Sequence, residues 1–127
     1  MPEGAARAID AALEAFGPID LLVNNAAVHP SERLEDHDLE TWRETFRVNV
    51  DGLLLCAQAA LPHMKAQGHG TIVNMGSISG RAPYAGGGAY AATKAAIELM
   101  TRTLAIGAGP YGVTVNCIAP GAINREA

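Results

Sequence analysis

The apolar residues of this chain repeatedly change their spacing between that of a helix and that of a buried strand. Over residues 9–16 they recur three or four positions apart, which is typical of an amphipathic helix. Short runs rich in apolar and β-branched residues occur at Ile19–Val23, Thr71–Met75 and Val113–Ile118. An order of helix, strand, helix, strand, helix, strand favours a parallel sheet flanked by helices, so the expected fold class is α/β.

Two longer stretches also have helical spacing. Asp38 is a suitable N-cap for a long helix that continues to Leu61, and Pro62 is expected to kink or end it. A third helix is expected at about Ala89–Ala105, with a core stripe of Ile97, Met100 and Leu104. Residues 28–37 and 76–88 are expected to be loops.

Composition excludes several classes of partner. A net charge of −4 and an isoelectric point near 5.4 leave no basic surface for nucleic acid, and the most apolar stretch, Leu53–Leu61, is too short to span a membrane. Cys56 and Cys117 lie in patterns typical of buried positions, so we expect two reduced core thiols in a cytoplasmic protein rather than a disulfide. No metal site is expected, because the histidines have no metal-ligand spacing and are predicted to be surface or loop residues: His29, His37, His63 and His69.

The third helix carries a pair of residues with potential acid–base chemistry. Tyr90 and Lys94 are four residues apart, so they point from one face of that helix. A nearby ammonium favours the phenolate form of a tyrosine, which suits Tyr90 to proton transfer with a carbonyl or an alcohol. Taken alone, such a pair is more often a helix-surface tyrosine beside a solvated lysine.

Other residues place this pair in a wider pattern. Ligands of open parallel sheets bind beyond the carboxyl ends of the strands, and the segments that follow the three strands carry several polar residues. The motifs are, in chain order, Asn24-Asn25-Ala26-Ala27, Asn49-Val50, Ser77 thirteen residues before Tyr90, Tyr90-x-x-x-Lys94, and Pro120-Gly121. In these motifs and their order the chain resembles the short-chain dehydrogenase/reductase family, over essentially all of its length.

The resemblance implies a role for each of four residues. Tyr90 would donate a proton to the substrate carbonyl in reduction and accept one in oxidation. Lys94 would favour the phenolate and hydrogen-bond the nicotinamide ribose, and Ser77 would hydrogen-bond the substrate oxygen. Asn49 would hold a water molecule that links Lys94 to solvent.

The resemblance also implies a cofactor and partners. The cofactor would be NAD or NADP, the substrate a small alcohol or ketone, and the protein a homo-oligomer formed through the two long helices. The residues expected beside the cofactor are Asn24, Ala26, Ala27, Tyr90, Lys94, Pro120, Gly121 and Ile123.

Three residues depart from the family pattern. Ala27 stands where the family usually has glycine, and Gly76 stands where it commonly has serine; both changes are expected to be tolerated. Arg125 takes the place of a frequent threonine that contacts the carboxamide, which puts that contact in doubt.

The glycine-rich turn of the family is not found. Gly107–Gly112 matches the pattern Gly-x-Gly-x-x-Gly, but it follows a helix and opens a strand, so it is interpreted as a helix end and a turn. The three strands resemble strands 4, 5 and 6 of a doubly wound Rossmann-type sheet. Residues 1–127 are therefore expected to form one partial NAD(P)-binding domain with Ile19–Val23 at a sheet edge. The alternatives are a non-catalytic fragment, an interaction module, or an epimerase or dehydratase of the extended relatives.

Overall fold

Helices and strands alternate along the chain in the computed structural model, which describes residues 2–123. This order confirms the α/β prediction. Residues 28–37 and 76–87 are loops apart from the short 3₁₀ turns Leu34–Asp36 and Ile78–Gly80, so the second expected loop ends one residue before 88. The elements are α1 (Pro2–Phe16), β1 (Leu21–Asn24), α2 (Leu39–Phe46), α3 (Gly52–Gln67), β2 (Gly70–Met75), α4 (Gly88–Ala108) and β3 (Val113–Ile118).

The three strands form one parallel sheet in the order β1-β2-β3. Leu22 pairs with Ile72, which pairs with Val115, so the carboxyl ends of all three strands lie at one edge. As expected, β1 is an edge strand, and its residues Leu21 and Val23 are about half exposed.

The helices α1, α3 and α4 cover a single face of this sheet. The inward residues Ile72, Val113 and Val115 pack with Ile9 of α1 and Met64 of α3. The alternate strand residues face the other side and are partly or largely exposed. The described helices therefore flank one face of the sheet, because both crossovers pass over that face.

The long helix predicted after Asp38 is interrupted. Asp38 does cap α2, since its Oδ1 accepts a hydrogen bond from Thr41 N at 2.8 Å. A π-helical turn over Arg47–Asp51 then separates α2 from α3. Pro62 does not end α3, which continues to Gln67, because burial of neighbouring side chains holds the helix past the proline.

The core stripe predicted on α4 is confirmed for Ile97, which is buried, and Leu104 packs against the core although it is partly exposed. Met100 is partly exposed, and the inward face of α4 also buries Thr93 and Thr101. These threonines can be buried because they hydrogen-bond polar side chains that also lie inside. The thiols of Cys56 and Cys117 are free, but both residues are partly exposed.

The glycine motif ends a helix and forms a turn, as expected. Gly107 belongs to α4, a 3₁₀ turn spans Gly109–Tyr111, and Gly112 has a φ of 76° immediately before β3. None of the helices within residues 2–123 is long and apolar enough to cross a membrane.

Replacing Gly112 with alanine should destabilise the fold. A Cβ there would collide with Gly68 O, and the left-handed backbone alone costs about 1–2 kcal/mol for a residue with a side chain. Gly107→Ala is the matched control, because a Cβ at this helical position meets no atom within 4 Å, and it should stabilise by up to about 1 kcal/mol. Denaturant unfolding measures both, and equal stability of the two variants would contradict this account.

Candidate active site

A cavity of about 530 Å³ opens at the carboxyl edge of the sheet. Segments that follow all three strands line it together with the first turns of α4. Of the residues expected at the site, it brings together Ala27, Ser77, Tyr90, Lys94, Pro120, Gly121 and Ile123. A smaller cavity of about 220 Å³ is lined by Asn24, Ala26 and Asn49, and it shares Lys94 with the first. Arg125 lies outside the described residues.

Lys94 is a buried cation at the end of β2. The residue is 4% exposed, and its Nζ donates a hydrogen bond to Met75 O at 2.8 Å. Burial lowers the pKa of Lys94, and the nearby Cys117 thiol acts weakly in the opposite direction. The same Nζ lies 5.4 Å from the centre of the Tyr90 ring, so the positive charge faces the phenol.

Tyr90 lies on the cavity wall with one ring face covered. The imidazole of His29 stacks on it, with ring centroids 3.7 Å apart and planes inclined by 19°. His29 also lines the cavity, a position that was not predicted from the sequence. Its position just after the asparagine motif of β1 is the one signal that could have indicated it.

Ser77 begins the 3₁₀ turn that follows β2. Its Oγ accepts a hydrogen bond from Ser79 N at 3.1 Å, so the hydroxyl proton remains available for donation. The preceding Gly76 has a structural reason in this chain. A Cβ there would lie 2.7 Å from Cys117 Sγ, so glycine at 76 accommodates the cysteine on β3.

Asn49 is buried in the π-helical turn and joins three elements. Its Oδ1 accepts from Val28 N at 2.8 Å, and its Nδ2 donates to Val28 O at 3.0 Å and to Thr93 Oγ1 at 3.1 Å. Thr93 Oγ1 in turn donates to Tyr90 O at 2.7 Å. The loop after β1 is therefore fixed to the turn of α4 that carries Tyr90.

A second polar chain runs from β1 through the sheet to α4. Asn24 Nδ2 donates to Asn74 Oδ1 at 2.9 Å, and Asn74 Nδ2 donates to Thr101 Oγ1 at 3.0 Å. The sequence analysis missed Asn74, Thr93 and Thr101. Their signal was present, because Asn74 occupies an inward position of β2 and the threonines share one face of α4 eight residues apart.

One histidine is not at the surface. The side chain of His37 is 3% exposed, and its Nε2 accepts a hydrogen bond from Ala89 N at 3.0 Å. His29, His63 and His69 are exposed, as expected. Within residues 2–123, no group of three or more His, Cys, Asp and Glu side chains is placed to hold a metal ion.

A phenol, a hydroxyl and a buried ammonium thus face one cavity beyond the strand ends of an open parallel α/β sheet. This location and donor set fit an α/β protein with a ligand site at its strand ends and with groups suited to proton transfer. A family model for short chain dehydrogenases matches residues 2–127. The chain belongs to the short-chain dehydrogenase family.

A named relative and two solved structures show the extent of the similarity. The chain is 41% identical over 116 residues to trans-4-hydroxycyclohexanecarboxylate dehydrogenase of Sinomonas cyclohexanicum, a match that covers 91% of this chain and 44% of the relative. The chain therefore spans less than half the length of that relative.

The structural neighbours have the same Rossmann-type fold. A gluconate 5-dehydrogenase from Burkholderia cenocepacia, in complex with NADP and tartrate, superposes with a TM-score of 0.94 at 35% identity, over 99% of this chain and 49% of that one. An NAD⁺-bound xylitol dehydrogenase superposes with a TM-score of 0.92 at 31% identity, over 95% of this chain and 47% of that one.

Burial of Lys94 predicts how the free energy of unfolding depends on pH. The folded pKa of Lys94 is lowered, so the unfolded chain binds more protons between that lowered value and the ordinary value of 10.5. The contribution of Lys94 to the free energy of unfolding should therefore rise with pH across that window. The unfolding free energy of the wild type minus that of Lys94→Met should increase as the pH approaches 10.5.

Denaturant titrations at several pH values measure this difference. Lys65→Met, at a partly exposed lysine of α3, controls for the loss of a positive charge. A wild-type minus Lys94→Met difference that falls with pH would contradict the direction given for Lys94.

Proposed function

We propose that this chain carries the catalytic centre of an NAD(P)-dependent oxidoreductase, which transfers hydride between a nicotinamide cofactor and an alcohol or carbonyl substrate. The observation that supports this most strongly is that Ser77, Tyr90 and Lys94 line one cavity at the carboxyl edge of the sheet. Membership of the family and the resemblance to a named dehydrogenase agree with it.

The residues around the cavity fit such a cofactor. The Lys94 ammonium is a donor suited to ribose hydroxyls, and a cavity of about 530 Å³ is in the range that small ligands occupy. When bound, NAD or NADP supplies or takes up the hydride. In this proposal Asn24, Ala26 and Ala27 lie beside its adenosine half, and Pro120, Gly121 and Ile123 border its nicotinamide.

The protein groups would handle the proton and the substrate oxygen. In reduction Tyr90 donates its phenolic proton to that oxygen, and in oxidation its phenolate accepts the proton. Ser77 donates a hydrogen bond to the same oxygen and stabilises the charge that develops there. The Lys94 ammonium attracts the negative charge of the phenolate, and Asn49 holds a water molecule that passes protons to solvent.

Removing the Tyr90 hydroxyl should stop the proton transfer and little else. In the protein as it naturally occurs, Tyr90→Phe should lower kcat at least about 10²-fold, because a general acid is lost. The affinity for NAD or NADP should change little. Steady-state kinetics with each cofactor and a panel of small secondary alcohols and ketones measures both quantities.

Tyr84→Phe is the matched control, since Tyr84 is exposed and absent from the cavity wall. It should keep the wild-type kcat. A Tyr90→Phe variant as active as Tyr84→Phe would remove the basis of the catalytic assignment, whereas a wild type without activity on any substrate with either cofactor would favour a non-catalytic interaction module.

We also propose that the protein is a homo-oligomer that pairs through the surface of α3 and α4. An apolar groove of about 560 Å³ lies between these helices, and Leu99, at its rim, is 66% exposed. Burial of this groove against a second copy would remove apolar surface from water. The groove residues are Leu54, Ala95, Ala96, Leu99, Met100, Thr103 and Leu104.

That residues 1–127 form one domain and that the protein is cytoplasmic stay predictions.

A charge in this groove should dissociate the oligomer. Leu99→Glu would bury an unpaired carboxylate at the interface, so sedimentation velocity should show a shift towards monomer. Leu34→Glu is the control, because Leu34 is similarly exposed but lies in the 3₁₀ turn before α2. Retention of the wild-type sedimentation coefficient in Leu99→Glu would show that this groove is not the interface.

A further inference from the structure

The first turn of α4 has no cap of its own. The first N–H groups of a helix find no partner within the helix, and a side chain at the N-cap position usually accepts one of them. That position in α4 is Gly87, which has no side chain to do so. Ala89 N instead donates to His37 Nε2 at 3.0 Å, across 52 residues of chain. Ala89 is fully buried and directly precedes Tyr90.

The backbone is shaped to receive this histidine. Gly88 has a φ of 46°, which strains any residue with a side chain. A Cβ at Gly88 would also collide with His37 Nε2 and with the carbonyl oxygen of Glu32. The glycine therefore lets the ring approach the end of α4 closely enough to accept the Ala89 hydrogen bond.

An aromatic ring and a carboxylate also contact the His37 ring. From α2, the Trp42 ring meets it edge to face, with centroids 6.1 Å apart. From the preceding loop, Glu32 Oε2 lies 3.3 Å from Nδ1, but Nδ1 is buried without an aligned hydrogen-bond partner. From α4 it faces the uncharged Gly88 and Ala89, so the Glu32 carboxylate is the ionisable group that contacts the ring among the described residues.

We propose that His37 is a positioning residue for Tyr90, acting through the backbone of Ala89. The neutral ring accepts the Ala89 hydrogen bond and holds the first turn of α4 in place. This contact fixes the position of the Tyr90 phenol in the cavity. A protonated ring has two N–H groups and no acceptor, so it cannot accept the hydrogen bond from Ala89 N. Its Nε2–H would instead face the Ala89 N–H. The inference rests on the proposed function of Tyr90.

Three variants of the natural polypeptide test it in the direction of carbonyl reduction. Carbonyl reduction is the direction in which Tyr90 must donate its phenolic proton to the substrate. His37→Phe keeps a ring but has no acceptor, so kcat should fall between about tenfold and about 10²-fold, with the KM of the cofactor nearly unchanged. His37→Gln keeps an acceptor that does not titrate, so it should restore kcat at neutral pH. His63→Gln, at an exposed histidine of α3, is the matched control.

The split between kcat and KM separates positioning from a merely structural role. Loss of the capping bond should lower kcat alone, whereas a general structural defect would also raise the KM of the cofactor; His37→Gln should recover kcat, and His63→Gln should match the wild type in both. Hydrogen exchange of the Ala89 amide gives a readout independent of activity. Protection of this amide should be lower in His37→Phe than in the wild type and should be retained in His37→Gln.

Failure of this inference is distinguishable from failure of the catalytic assignment. An inactive Tyr90→Phe beside a fully active His37→Phe would overturn the role of His37 alone. An active Tyr90→Phe would overturn the proposed function, and Ala89 exchange would then decide the capping contact by itself. If His37→Phe does not fold, His37→Ala replaces it, and Ala89 protection equal to that of the wild type in this variant overturns the proposal.

Discussion

The buried amide of Asn49 is the interaction on which the arrangement of the cavity depends. A buried amide without partners is costly, and Asn49 meets that constraint by bonding both backbone groups of Val28 and the hydroxyl of Thr93. These three bonds fix the loop after β1 against α4. The wall that carries Ala27 and the wall that carries Tyr90 are thereby held at one separation.

The buried polar groups of the sheet serve the same end. Asn24, Asn74 and Thr101 form a continuous chain of hydrogen bonds from the edge strand to the middle of α4. Each donor and acceptor in such a chain restricts the others, so the helix has one favoured position along the strands. Lys94 adds a bond from the same helix to the last carbonyl of β2.

Much of this fold could be predicted from the sequence, because strand runs and helical spacing are local signals. The limits of β3 and the cap at Asp38 follow from such signals and are confirmed. The contacts of His37 could not be predicted, since they join residues 52 positions apart and depend on the φ of Gly88. The apolar run of β1 does not by itself show which side of the strand is open, because Leu21 and Val23 point outwards although they are apolar.

The π-helical turn has a consequence for the length of this segment. The buried residues Thr45, Asn49, Leu53 and Ala57 are spaced by four three times in succession, whereas an α-helix has about 3.6 residues per turn. The wider turn at Arg47–Asp51 absorbs the surplus and keeps them on one face. Insertion or deletion of a single residue here would rotate α3 by about 100° and turn its core residues towards water. The number of residues in this segment is therefore constrained, and length variation among related proteins should accumulate in the loops on either side of it.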